Sequence, residues 1–298
     1  MRKLLTKAAV ILFAVSVAEQ FIPVGLPTEK SAVVETTVST EKPQKVYTVS
    51  SEGIFENQKE RFVAHRGFSE HAPENSVPAF ELAGKAGFWG IESDIIEAAD
   101  GVFMCIHDDT LDRTTDGEGE VSSYTYTELM DFRIDFGNDI EKYPDLKIPT
   151  MIEFLNNCVI YDCVPIIEIK SIVDYEAFLK TIKESGLYKR AIVTGGIEDL
   201  KQIRALDSEI NVMLVAYATN DYSVYEALLP DLGANSGILL NAPLITQEVS
   251  DSLHERGYRI GAWTLDSKED AQKYIDLGAD YVVTNEIPGL KHMINTNE

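Results

Sequence analysis

Apolar runs of strand length alternate with segments of helical period along the chain from Phe62 onward. The runs VPIIEIK and ADYVVTN are apolar on both faces, which is typical of parallel strands that lie between covering helices and a packed core. Eight predicted strands begin near the following residues: Phe62, Gly90, Val164, Arg190, Asn211, Gly237, Tyr258 and Asp280. Eight β/α repeats in about 238 residues predict a (β/α)8 TIM barrel. A doubly wound sheet is the alternative, and a count of eight units favours the barrel.

One segment falls outside this repeat. GVFMCIHDDT follows the second strand after a tight Ala-Asp-Gly turn, so it predicts a hairpin strand in addition to the eight. A stretch of about fifty residues then leads to the third barrel strand, with helices predicted over residues 124–132 and 151–161. The sequence therefore predicts a small insertion between strands 2 and 3 of the barrel.

The first sixty residues lack the β/α pattern. Arg2, Lys3 and Lys7 precede an apolar run that ends at Ala18, which predicts a signal peptide over 1–18 and an exported protein. The run is too short to cross a hydrocarbon core of about 30 Å, so no stable transmembrane span is expected. An uncleaved anchor remains an alternative, because apolar residues resume at 21–26. Residues 19–60 are interpreted as a polar, disordered linker, and 61–298 as the barrel domain.

Composition narrows the function classes. The chain has 26 Lys and Arg against 49 Asp and Glu, for a formal charge of −23, and such an acidic protein repels nucleic-acid backbones. Cys105 is interpreted as a buried apolar side chain. Cys158 and Cys163 are close enough in sequence to form a local disulfide, and both the bonded and the free form remain open.

Several polar side chains fall at the ends of predicted strands. His65 and Arg66 end strand 1, and His107 ends the hairpin strand. The spacing of two between Glu92 and Asp94 puts both on one face of strand 2, and Glu168 and Lys170 repeat that spacing on strand 3. The carboxyl ends of barrel strands meet at one mouth. Taken singly, each of these residues can be interpreted as a rim histidine or as part of a surface ion pair. Taken together they put several charges at strand ends, and buried charge requires partners or a metal.

The combined set favours phosphoryl chemistry. Glu92, Asp94 and Glu168 supply the oxygen ligands that Mg²⁺ or Ca²⁺ prefers, and the sequence predicts one such divalent cation. Cations beside a metal neutralise phosphate oxygens, and imidazoles move protons near neutral pH. The spacing alone does not identify the phosphate ester.

The order of short motifs resembles the glycerophosphodiester phosphodiesterase family from Arg61 to about Pro288. The motifs are AHRGFSEHAPENSVPAF, GIESDI, IHDDTLDRTTDGEGEV, EIK, AWTLD and TNEIP. The resemblance implies a (β/α)8 barrel that hydrolyses glycerophosphodiesters to an alcohol and glycerol 3-phosphate with a divalent cation. It also implies site roles, in which His65 and His107 match the acid–base pair, Glu92, Asp94 and Glu168 the metal ligands, Arg66 and Lys170 the phosphate-contacting cations, and Trp263 an aromatic wall beside the glycerol end.

Other motif residues are interpreted as supporting groups. The segment Pro73–Glu74–Asn75 is expected to hold the first loop, and Asp108, Arg113 and Thr114 are expected to brace His107. The family usually has threonine at the position of Ser76 and often has aspartate at the position of Asn285. We expect neither residue to contact the acid–base pair or the metal ligands. The remaining histidines, His71, His254 and His292, are interpreted as surface residues.

Three functional hypotheses remain. The first is an exported phosphodiesterase that acts on a small glycerophosphodiester. The second keeps the barrel and changes the substrate to lysophospholipids or glycerol-phosphate polymers. The third is a surface protein that binds glycerophosphoryl groups without catalysis. The sequence predicts no oligomeric state.

Overall fold

The structure is a computed structural model that describes residues 61–217 and 221–286. The predicted signal peptide, the whole of the predicted linker and His292 lie outside the described residues. Within the described part, no helix is long and apolar enough to cross a membrane.

Eight parallel strands close into a barrel, which confirms the predicted fold. The first strand pairs with both the second and the last, so the sheet has no open edge among these eight. The barrel strands are β1 (Phe62–Ala64), β2 (Gly90–Glu97), β4 (Val164–Ser171), β5 (Ile192–Gly195), β6 (Asn211–Val215), β7 (Ser236–Asn241), β8 (Arg259–Trp263) and β9 (Tyr281–Thr284). Four of them begin at the predicted residue, and the other four begin within two residues of it.

Helices follow the strands and cover the barrel. They are α1 (Val77–Ala86), α2 (Tyr126–Leu129), α3 (Met151–Tyr161), α4 (Tyr175–Glu184), α5 (Ile197–Leu206), α6 (Tyr222–Glu226), α7 (Gln247–Glu255) and α8 (Lys268–Asp276). Many of them begin after a residue whose side chain accepts a hydrogen bond from a backbone N–H of the first helical turn, such as Ser76 before α1 and Ser267 before α8. The helix predicted over 151–161 is confirmed. The one predicted over 124–132 is shorter, because Thr125 caps α2 and the helix ends after one turn.

The apolar core has two layers that follow from strand alternation. Val63, Ile166, Ile192, Leu239 and Tyr281 are among the side chains that fill the barrel interior. The opposite faces of the same strands pack against the helices in a separate and larger cluster. The barrel interior is therefore packed below the mouth, and polar side chains collect above it at the strand ends.

The insertion has its own small core. Strand β3 (Phe103–Cys105) pairs antiparallel with β2, as the hairpin prediction requires. Ile96, Leu111, Leu129 and Ile148 pack beneath the following loops. All three cysteines are buried and free, so the predicted alternative of a local disulfide is not adopted.

Candidate active site

Three carboxylates converge where β2 and β4 lie side by side. Asp94 is in register with Glu168 across the two strands, and alternation along β2 places Glu92 on the same face. One oxygen from each residue lies within 4.8 Å of the others. Their exposed fractions are 2% for Glu92, 2% for Asp94 and 9% for Glu168, so the cluster is shielded from water.

Burial and like charge make this cluster costly without a counterion. Burial, followed by the charges of Asp94 and Glu168, raises the pKa of Glu92 well above its ordinary value. The backbone N–H of Arg66 donates to Glu92 Oε2 at 2.7 Å. Glu92 Oε1 is buried and accepts no hydrogen bond from any residue in 61–217 or 221–286. An unpartnered buried oxygen beside two further carboxylates fits a hard divalent cation.

Two cations contact the carboxylates from the mouth. Lys170 Nζ lies 2.7 Å from Glu168 Oε1 and 3.5 Å from Asp94 Oδ1. Arg66 Nε lies 3.3 Å from Asp94 Oδ2. Burial alone lowers the pKa of Lys170, but the charges of Asp94 and Glu168 outweigh it and raise that pKa. Both cations therefore stay charged at the mouth, where they oppose the excess negative charge.

Asn75, in the loop between β1 and α1, orients Asp94. Its Nδ2 donates to Asp94 Oδ2 at 2.8 Å, and its Oδ1 accepts from Ser93 Oγ at 2.8 Å and from the Asp94 N–H at 3.2 Å. Asn75 is only 3% exposed and has a positive φ of 49°. The segment 73–75 thus supports the first loop, as predicted, and also fixes a carboxylate of the cluster.

His65 directly follows β1 and is held by the end of β9. Its backbone N–H donates to the Thr284 carbonyl at 2.9 Å, and its Nδ1 lies 2.8 Å from Asn285 Oδ1. Burial and the charge of Arg66 lower the pKa of His65. The prediction that Asn285 does not contact the acid–base pair is wrong, because β1 and β9 are neighbours only once the barrel has closed. Ser76, by contrast, caps α1.

His107 is held by a chain of charged groups. Asp108 Oδ1 lies 2.5 Å from His107 Nδ1, and Arg113 Nε donates to Asp108 Oδ2 at 2.5 Å. Arg113 also donates to both oxygens of Glu74 at 2.7 and 3.0 Å. The hydrogen bond from Arg113 lowers the pKa of Asp108 to about 2, and the bond to His107 adds to it. Asp108 and Arg113 therefore brace His107, while Thr114 is buried in the same loop.

Two aromatic side chains complete the mouth. Trp263 ends β8, packs against the barrel interior, and has a buried Nε1 without a hydrogen-bond partner in the described part of the chain. Tyr217 follows β6 and donates its hydroxyl to Glu168 Oε1 at 2.6 Å. Its ring centroid lies 5.5 Å from Lys170 Nζ. The sequence analysis did not single out Tyr217, although an aromatic residue two positions past a barrel strand was the available signal.

The other described histidines differ from each other. His254 is exposed and its Nε2 lies 3.0 Å from Asp280 Oδ2, in agreement with the surface prediction. His71 is half-buried, and its ring packs edge-on against Phe68 at a centroid distance of 4.3 Å. The surface prediction is therefore wrong for His71.

Comparison with known proteins is consistent with this geometry. A sequence model of the glycerophosphoryl diester phosphodiesterase family matches residues 65–288. A glycerophosphodiester phosphodiesterase from Caldanaerobacter subterraneus subsp. tengcongensis is 32% identical over 240 residues, which cover 78% of this chain and 96% of the relative. Glycerophosphodiester phosphodiesterase 1 from Rattus norvegicus is 26% identical over 253 residues, which cover 74% of this chain and 76% of the relative.

Solved structures share the fold. A phosphodiesterase from Oleispira antarctica, solved in complex with the product sn-glycerol-3-phosphate, superimposes with a TM-score of 0.69 at 24% identity. The match covers 79% of this chain and 97% of that chain. The matched family segment contains both histidines and the three clustered carboxylates of the mouth. The chain therefore belongs to the glycerophosphoryl diester phosphodiesterase family and is a phosphoric diester hydrolase.

Proposed function

We propose that this protein hydrolyses small glycerophosphodiesters to an alcohol and glycerol 3-phosphate, with one divalent cation and with His65 and His107 as the acid–base pair. The observation that carries the proposal is the composition of one mouth. Three carboxylate oxygens of β2 and β4 lie within 4.8 Å of one another, His65 directly follows β1, and His107 lies two residues past β3, the hairpin strand that pairs with β2. Family membership supports the reaction class, and the product bound to the Oleispira antarctica relative supports the product.

Glu92, Asp94 and Glu168 are the residues that would hold the cation. The donor set fits Mg²⁺ or Ca²⁺, because it consists of oxygens alone and includes the unpartnered Glu92 Oε1. When bound, the cation supplies Lewis-acid stabilisation of charge on the phosphoryl oxygens.

Arg66 and Lys170 are the phosphate-binding groups in this proposal. Both are side chains of the mouth, with 19% and 15% of their side-chain surface exposed, so each can reach a ligand. Trp263 provides an apolar wall that suits the carbon backbone of glycerol. Tyr217 adds a hydroxyl beside Glu168 and Lys170.

The two histidines move the protons of the reaction. Water attacks phosphorus, one imidazole takes its proton, the bond between phosphorus and the alcohol oxygen breaks, and the other imidazole protonates that oxygen. On both rings Nδ1 is already in contact with a loop side chain, so proton transfer takes place at Nε2. Because the loops fix both rings, the site needs little reorganisation during the reaction.

Export remains part of the proposal. The predicted signal over residues 1–18 supports export, and an exported enzyme would meet its substrates outside the cytoplasm. Immunodetection of the tagged protein in cell fractions tests this. Retention of the full-length protein in the cytoplasmic fraction would contradict export and leave the catalytic proposal intact.

The decisive experiment is release of glycerol 3-phosphate from glycerophosphocholine, detected with a coupled dehydrogenase, in Mg²⁺, in Ca²⁺ and in EDTA. We expect release that depends on the cation. His65→Ala is expected to abolish turnover with nearly unchanged metal affinity by calorimetry, whereas Glu92→Ala loses both. No release from choline, ethanolamine or lysolipid diesters with either cation would overturn the proposed function, as would undiminished release in EDTA.

A further inference from the structure

Asn285 links His65 to a third residue, Asp266. Asp266 lies in the loop after β8, and Asn285 directly follows β9. The backbone N–H of Asn285 donates to Asp266 Oδ1 at 2.7 Å, and its side-chain Nδ2 donates to Asp266 Oδ2 at 3.0 Å. The hydroxyl of Thr284 lies 3.1 Å from Asp266 Oδ1 but contacts the Glu286 carbonyl oxygen more closely, so its one hydrogen goes to that carbonyl. The Asp266 carboxylate thus receives two hydrogen bonds from Asn285.

These contacts fix the orientation of the Asn285 amide. An ionised carboxylate only accepts hydrogen bonds, so the amide nitrogen faces Asp266 and the amide oxygen faces away from it. That oxygen is the atom 2.8 Å from His65 Nδ1. Ser69 Oγ donates to the same oxygen at 3.3 Å, which agrees with its role as an acceptor.

The orientation of the amide in turn fixes the proton on the histidine ring. An amide oxygen cannot donate, so His65 Nδ1 must carry the hydrogen of this contact. A neutral imidazole has one N–H and one lone pair, and the lone pair therefore lies on Nε2. When Nε2 gains a proton, the Nδ1 hydrogen stays in place, so the same contact holds the neutral and the charged ring.

We propose that Asp266 and Asn285 are positioning residues, which hold His65 with its proton on Nδ1 and keep its Nε2 lone pair for the proton of the attacking water. This inference rests on the proposed function, since it names the state in which His65 acts there. In that step the O–H bond of the water breaks, the oxygen bonds to phosphorus, and the proton ends on Nε2. Neither Asp266 nor Asn285 gains or loses a proton.

The second histidine has a different partner. Asp108, a carboxylate, contacts His107 Nδ1, whereas the neutral amide of Asn285 contacts His65 Nδ1. A carboxylate stabilises positive charge on the ring that it contacts, and an amide oxygen does so much less. The pair is therefore asymmetric, which suits a site in which one ring accepts a proton and the other donates one.

The experiment measures the tautomer of His65 directly. Long-range ¹H–¹⁵N spectra of the Mg²⁺-loaded full chain, without substrate, distinguish a protonated Nδ1 from a protonated Nε2. The chain has five histidines, and His65→Gln assigns the signals of the ring at 65. In the wild type we expect a neutral His65 with hydrogen on Nδ1 alone. Asn285→Ala removes the acceptor and is expected to give a mixture of tautomers. In Asp266→Asn the amide at 285 is free to turn, so a mixture is expected there too.

Turnover of glycerophosphocholine is the second measurement. Asn285→Ala is expected to lower kcat at least 10-fold while KM changes less than 3-fold, and Asp266→Asn is expected to lower kcat to a smaller extent. The double variant Asp266→Asn/Asn285→Asp exchanges the amide and the carboxylate, which keeps the hydrogen bond between the two side chains and an acceptor for Nδ1, and it is expected to restore most of kcat. Asn235→Ala is the matched control, because that exposed asparagine lies before β7, at the far end of the barrel.

Failure of this inference is distinct from failure of the proposed function. Hydrogen on His65 Nε2 in the wild type, or an unchanged Nδ1–H signal in Asn285→Ala, would overturn the proposed positioning of His65 by Asp266 and Asn285, whatever the enzyme hydrolyses. If Asn285→Ala does not fold, the Asp266→Asn spectrum decides the same question. A wild type that has the Nδ1–H tautomer but releases no glycerol 3-phosphate would refute the proposed function and leave the hydrogen-bonded arrangement standing.

Discussion

Removal of the Asn75 side chain tests whether buried hydrogen bonds hold the carboxylate cluster in place. In Asn75→Ala the donors Ser93 Oγ and Asp94 N–H lose their acceptor, and Asp94 Oδ2 loses a donor at 2.8 Å. Both donors belong to buried residues of β2. Asp94 keeps its contacts with Arg66 and Lys170, so the largest loss falls on the two donors.

The magnitude follows from the cost of a buried unpaired donor, about 1–3 kcal/mol each. A water molecule that enters the vacated space recovers part of this, so we expect a loss of about 2–4 kcal/mol in the free energy of unfolding. Metal affinity is expected to fall roughly 10- to 100-fold, because Asp94 loses a group that orients it.

Asn235→Ala separates backbone cost from hydrogen-bond cost. Asn235 has a φ of 54°, close to the 49° of Asn75, but it is exposed and its side chain donates a single hydrogen bond, to the Glu209 carbonyl. Urea denaturation in EDTA measures both variants, and calorimetry with Mg²⁺ measures metal affinity. If Asn75→Ala is no less stable than Asn235→Ala and binds Mg²⁺ like the wild type, the reasoning is refuted.

Three further predictions use the same assays. Glu92 has a raised pKa, so in EDTA the folded protein keeps a proton that the unfolded chain releases, and stability falls as pH rises above the unfolded value, by up to about 1.4 kcal/mol per pH unit. Glu92→Gln should therefore be more stable than the wild type at pH 8 in EDTA but not at pH 4, and a parallel pH profile would contradict this. Asp108→Asn is expected to lower kcat at least about 10-fold with little change in metal affinity, and unchanged kcat would show that its charge is dispensable. Gly67→Ala places a methyl group 2.6 Å from Ala79 Cβ at a φ of 80°, and it should lower the free energy of unfolding in urea by about 2–4 kcal/mol. Gly87 has the same φ but open space around it, so Gly87→Ala should lower that free energy by about 1 kcal/mol. Equal losses of stability in the two variants would exclude the clash with Ala79.

The sequence was sufficient to predict the barrel because its periodicity is strong. Apolar strands separated by capped helices recur eight times, and the starts of β1, β2, β4 and β6 were predicted to the residue. The helix over 124–132 was predicted too long, because its boundaries depend on local capping at Thr125 rather than on periodicity. The state of the cysteines was not predictable either, since two thiols close in sequence can be buried against different neighbours.

Prediction of the site succeeded for residues on strands and failed for contacts across the closure of the barrel. The convergence of Glu92, Asp94 and Glu168 was predictable, because the sequence indicates both the spacing of residues within a strand and which strands are neighbours. The contact between His65 and Asn285 joins residues 220 positions apart, and only the pairing of β1 with β9 creates it. Tyr217 follows β6 and contacts Glu168 of β4, with β5 between the two strands, and no local sequence pattern predicts such a contact.

The charges at the mouth explain why the proposed cation and substrate belong together. Without a metal Glu92 keeps its proton, so the charges of Asp94 and Glu168 are balanced by those of Arg66 and Lys170, and the mouth has no excess positive charge to attract an anionic diester. A divalent cation that displaces this proton and is held by the three carboxylates would leave one positive charge on the group, which a singly charged phosphodiester neutralises. The carboxylates would then have the metal as their counterion, and the lysine and arginine would become available to the phosphate. Arg66 and Lys170 thus stabilise the carboxylates in the absence of the metal and bind the phosphate in its presence. This explains why two positively charged side chains lie beside a metal-binding site.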